Sequence, residues 1–158
     1  MGKDFPYGIV CLCTAPVVAD KVLSECFKLA ESIHLRICLA YGLCLGFVRD
    51  GGYIVGDNDL DMIAITDTGG PTPFVDKAFI DAGFKRGASF PPPLSNVHYH
   101  KGRILVDIHF RESVNLYRKF DVVTYKGILY ATPHPIDAYL VACYGDWRKK
   151  GTKSATYR

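Results

Sequence analysis

The sequence predicts a mixed α/β fold, an α+β arrangement in which helices flank one mixed sheet within a single domain, and three observations predict it. Residues Pro16 to Ile33 carry apolar side chains at helical spacing. Nearly continuous apolar runs at 36–41 and 60–65 read as buried strands. Further short apolar runs, bounded by Gly and Pro clusters, fill the second half. With 158 residues, 49% of them hydrophobic, the chain is long enough for one sizeable core, and no repeat or linker divides it, so one domain over 1–158 is expected. No apolar run approaches the roughly 20 residues of a membrane helix, so no membrane span is expected. The net charge of +3 is too mild to indicate nucleic acid as a partner, although the tail at about 149–158 is basic.

The six cysteines, Cys11, Cys13, Cys26, Cys38, Cys44 and Cys143, sit among apolar neighbours without paired CxxC spacing. That pattern predicts reduced, mostly buried thiols and a cytoplasmic location rather than a zinc site or a disulfide framework. The start MGKDFPYG shows no signal-peptide pattern, and Pro6 stands where an N-myristoylation signal wants Ser or Thr.

Along the chain, the first helix carries Val18, Val22, Leu23, Cys26, Phe27, Leu29, Ala30 and Ile33 at helical spacing, with Asp20, Lys21, Glu25, Lys28 and Glu31 on the other side. A short buried strand from Arg36 to Tyr41 then runs into Gly42. The following LCLGFVRD suits a short helix, whose free N–H groups and positive dipole end favour an anion. Leu60 to Ile65 is the next strand, and Phe74 to Ala82 a second helix with Gly83 placed to cap it. Beyond it come a strand at 84–88, a hairpin of Asn96–Tyr99 and Arg103–Phe110 about Lys101-Gly102, a second hairpin about Lys126-Gly127, and a last helix from Pro133 to Trp147.

Chemistry concentrates in YGLCLGFVRDGGYIVGDNDLDMIAI, residues 41–65. Asp57, Asp59 and Asp61 alternate, so on a strand Asp59 and Asp61 project together within reach of one hard cation. Within ILVDIHF, Leu105, Asp107 and His109 share a face, and Asp107 is a lone carboxylate in an apolar strand. A glycine turn, a short helix, Arg49, a D-x-D and a later lone Asp make the layout of a nucleotidyltransferase-type site. There, carboxylates hold Mg²⁺ or Mn²⁺ against phosphate charge during in-line attack. The expected metal ligands are Asp59, Asp61 and Asp107, and Gly42, Gly46 and Arg49 are expected at the nucleotide phosphates. His98, His100 and His109 are expected as hydrogen-bonded or exposed strand residues, because Mg²⁺ suits carboxylates better than imidazole.

The stretch GLCLGFVRDGGYIVGDNDLDM resembles the signature of the LicD family, which includes the fukutin-type proteins. There a GTLLGxxR segment leads through a glycine turn into a WDDDID-like run. The far end, FDVVTYKGILYATPHPIDAYLVACYGDWRK, is similar to the family's closing pattern. The resemblance spans about 19–149. It implies a nucleotidyltransferase-like fold and a metal-dependent transferase that moves a phospho-alcohol, such as phosphocholine or ribitol phosphate, from a CDP-activated donor to a glycan or other hydroxyl acceptor. By the same resemblance Asp59 and Asp61 are the metal-binding pair, and Asp107 is the third carboxylate and the acceptor of the hydroxyl proton. Leu43 departs from the family's Thr or Ser after the glycine, and Gly56 and Asn58 depart within the acidic run. The chain is short beside typical members, which implies a minimal enzyme or one completed by a protein partner. Two further readings share the motifs: transfer of a nucleoside monophosphate from an NTP to a small molecule, protein or RNA, and a binding module that keeps the fold without turnover.

Overall fold

A computed structural model describes residues 8–150. Residues 1–7 and 151–158, the latter with most of the basic tail, lie outside the described residues. A 3-10 turn at Leu12–Thr14 leads into helix α1, Pro16–Ser32, which opens on a proline that has no N–H to leave unpaired. Strand β1, Arg36–Leu39, is followed by a short helix α2, Tyr41–Leu45, and a π turn, Gly46–Asp50. Then come β2, Asp59–Ile65; α3, Pro73–Asp81; β3, Lys85–Phe90; β4, Asn96–Lys101; β5, Ile104–Arg111; β6, Phe120–Tyr125; β7, Ile128–Pro133; and α4, Ile136–Tyr144.

The fold is mixed α/β, as expected. Five strands form one sheet in the order β1-β2-β5-β4-β3, and β6 and β7 form a separate hairpin. Only the β2–β5 pair is parallel; its neighbours pair antiparallel. The register sets which residues share a face. Leu60, Met62 and Ala64 lie beside Val106, Ile108 and Phe110, which in turn lie beside Tyr99 and Val97. This apolar face is covered by α3, where Phe79 stacks on Tyr99 at 4.7 Å, and by α1, whose Glu25 pairs with Lys101 at the end of β4. The opposite face carries Asp59, Asp61, Asp107, His109, His98 and Asn96.

Element ends differ from expectation where backbone chemistry intervenes. The last helix begins at Ile136 rather than Pro133, because Pro133 still pairs in β7, and it stops at Tyr144, where Gly145 takes φ +66°. Its cap position is held instead by Asp121, which accepts the Ile136 N–H at 3.1 Å. Lys126 and Gly127 both have positive φ, as a two-residue hairpin turn requires.

One polar tie joins the helix layer to the second hairpin. Asp20 of α1 accepts hydrogen bonds from Tyr53 at 2.7 Å, Tyr125 at 2.8 Å and Lys126 at 2.7 Å. Burial pushes its carboxyl up, but the bonds from Lys126, Tyr53 and Tyr125 outweigh that and hold it below the ordinary 3.8. A depressed folded value means stability that is present above the unfolded value and lost as pH falls through the folded one. Replacing Asp20 by Ala is expected to cost about 2 kcal/mol in urea unfolding at pH 7. The gap between variant and wild type should narrow as pH drops below about 4.

Candidate metal centre

The polar face of the sheet is arranged in rows by its register. Asp61 of β2 is paired with Asp107 of β5, which is paired with His98 of β4; in the next row Ile63, His109 and Asn96 stand side by side. Every member therefore sits on a sheet strand, which fixes its position better than a loop does. Asp61, Asp107 and His109 are all buried and each offers one ligand atom, the three lying within 4.8 Å of one another. The His109 Nε2 is 3.3 Å from Asp61 Oδ1 and 3.3 Å from Asp107 Oδ2.

Asp107 is held on both oxygens. Asn96 donates from Nδ2 to Oδ1 at 2.9 Å, and His98 Nε2 lies 3.5 Å from Oδ2. Burial pushes the Asp107 carboxyl up, but hydrogen bonds from His109, His98 and Asn96 and the His109 charge overcome it and hold the group well below the usual carboxylate range. Asp61 goes the other way: burial and the charges of Asp59 and Asp107 raise it well above that range, against the His109 bond. His109 is lowered by burial and raised more by Asp107 and Asp61, to about 9. The hydrogen bond to Asp107 also raises His98. Two neighbouring carboxylates thus lie among two imidazoles, one carboxyl raised by burial and the other lowered by its hydrogen bonds.

The residues fit a cation on a second count. The other end of the Asn96 amide, Oδ1, is buried and meets no donor among the described residues. A buried acceptor without a donor is costly and rare, and water bound to an ion beside Asp107 is the kind of donor it lacks.

The other predicted site residues lie where the structure gives them different partners. Asp59 shares the face of Asp61 and acts on it electrostatically, but it is outside the three-ligand group. Gly42 is close to Asp57: a Cβ there would lie 2.6 Å from Asp57 Oδ2. The carboxylate against the first turn of α2 is therefore the chain's own Asp57. Gly46 allows the 52–54 loop to cross, since a Cβ there would lie 2.5 Å from the Gly52 carbonyl oxygen. Arg49 forks onto Asp50 at 2.8 and 3.0 Å and donates to the carbonyls of Trp147 and Lys149, both at 3.4 Å. Leu43 is a core side chain, 1% exposed.

His109 is the candidate ligand that sequence reasoning placed outside the ligand set. Its signal was present, the i, i+2 spacing from Asp107, but the approach of Asp61 depends on the β2–β5 register, which spacing does not show. Its ring is set by Tyr41, packed edge-on at 4.7 Å, whose hydroxyl accepts from Arg111 at 3.3 Å. Tyr41 has φ +44°, and Tyr139 of α4 accepts its N–H at 2.9 Å. A groove of about 570 Å³ between α1 and the second hairpin is lined by none of these residues.

No family model matches the chain, and a search of curated proteins finds no match either. Among the described residues no helix is long and apolar enough to cross a membrane.

The crowding at Gly46 gives a direct test of its packing role. Gly46→Ala is expected to lose about 2 kcal/mol of stability in chemical denaturation, because the contact atom is backbone and cannot swing away. Gly52→Ala, which meets nothing within 4 Å, should shift it by less than about 1 kcal/mol.

Proposed function

We propose that this protein is a metal-dependent transferase that moves a phospho-alcohol from a CDP-activated donor to a hydroxyl acceptor, on a nucleotidyltransferase-like scaffold. The observation that carries the reading is the buried pairing of Asp61 with Asp107 across parallel strands, with His109 beside both. The donor class comes from the LicD-like motifs at 42–62 and 120–149 and is an inference from resemblance.

Asp61, Asp107 and His109 would hold the ion, and Asp59, on the same face, would serve its outer side or a second ion. A bound divalent ion supplies charge neutralisation at the donor phosphates. Asn96 and His98 fix the Asp107 carboxylate, so the ligand does not have to reorganise when substrate arrives. With both oxygens already bonded and its basicity suppressed, Asp107 is a poor acceptor for the hydroxyl proton, and its role in this reading is that of a held ligand. Arg49 would act on donor phosphate only by giving up Asp50, so its first role here is to tie the π turn to the segment around Trp147.

Titration calorimetry with CDP-choline, CDP-ribitol, CTP and ATP, with Mn²⁺, Mg²⁺ or EDTA, tests the reading. Binding of a CDP-linked donor is expected only with metal, and Asp61→Asn and Asp107→Asn should each weaken it by about 100-fold or more. No metal-dependent binding of any of the four would overturn the reading. Attachment of the nucleotide itself to product would replace it with nucleotidyl transfer.

A further inference from the structure

We infer that His109 is an inner ligand of the metal and that the centre consequently selects a first-row transition ion, Mn²⁺ in the first instance, over Mg²⁺. This rests on the metal centre proposed above, though not on its donor. Three independent features of the site support it.

The first is distance. A single N–H on Nε2 can point at one acceptor, yet Nε2 stands 3.3 Å from an oxygen of each aspartate, so one donor is shared between two acceptors at the long end of the hydrogen-bond range. Ligand atoms about 2.1 Å from one ion in an octahedral or tetrahedral shell lie roughly 3.0 to 3.4 Å apart. The spacing of Nε2 from the two oxygens therefore matches that of atoms facing a common centre.

The second is orientation. Tyr41 packs edge-on against the imidazole, and Arg111 and Tyr139 hold Tyr41 in turn, so the ring is backed by a fixed side chain of α2 with Nε2 within 3.3 Å of both carboxylates. The third is the buried Asn96 Oδ1, an acceptor without a donor beside Asp107. An ion with three protein ligands keeps positions for water, and bound water is an O–H donor. Choice of ion follows from ligand type: Mg²⁺ takes oxygen almost exclusively, whereas a set of two carboxylates and one imidazole suits Mn²⁺ and its heavier neighbours.

The experiment uses the intact protein with Mn²⁺ alone, followed by pulsed electron paramagnetic resonance and by competition with Mg²⁺. A directly bound imidazole ¹⁴N coupling is expected in wild type and in His98→Gln, and absent in His109→Gln. His109→Gln, which keeps a polar group and offers oxygen, should also lower the preference for Mn²⁺ over Mg²⁺ by about tenfold or more while circular dichroism confirms the fold. The inference is overturned if wild type binds Mn²⁺ with no nitrogen coupling, if His98→Gln rather than His109→Gln removes the coupling, or if His109→Gln leaves Mn²⁺ affinity unchanged or tightens it. Failure to bind Mn²⁺ or Mg²⁺ at all would instead sink the metal centre itself.

Discussion

The rest of the site depends on one constraint, the in-register parallel pairing of β2 with β5, which sets Asp61 opposite Asp107 in a buried sheet. Two like charges about 5 Å apart repel by on the order of 3 kcal/mol at an effective dielectric near 20, and burial adds to that. What surrounds them answers that repulsion. His109 lies against both carboxylates, His98 and Asn96 approach Asp107 from β4, and Asp61 has its carboxyl pushed toward the neutral form. A divalent ion would serve the same need with more charge in less space, which is why the geometry and the proposed chemistry point the same way.

The support behind the site is aromatic and comes from the opposite end of the chain. Tyr139, on the last helix, reaches the backbone N–H of Tyr41, whose left-handed conformation would otherwise be unfavourable, and Tyr41 in turn positions His109. Arg49 makes a second link in the same direction, from the π turn to the carbonyls of Trp147 and Lys149. The last helix therefore reaches the centre through Tyr139 and Tyr41, whereas the closing YGDW segment is tied to the π turn through the Trp147 carbonyl.

Much of this was legible in the residues. Apolar periodicity located α1, β2 and α3 to within a residue or two, turn chemistry located both hairpins, and alternation put Asp107 and His109 on one face. Asp61 and Asp107 were readable as candidate ligands because a carboxylate in an apolar strand is hard to explain otherwise. What was hidden depended on pairing between distant segments. No local pattern states that Asp61 lies beside Asp107, and so none could bring His109 to Asp61. The glycines were read through the chemistry of phosphate loops, whereas their neighbours prove to be Asp57 and the Gly52 carbonyl, contacts made by a loop folding back over its own helix.

That contact between position 42 and position 57 constrains both residues at once. The space a side chain would need at 42 is already filled by the carboxylate at 57, so the two positions form a single steric unit. A larger residue at 42 therefore demands a smaller one at 57, and glycine at 42 is a demand of the fold whether or not the carboxylate centre carries an ion.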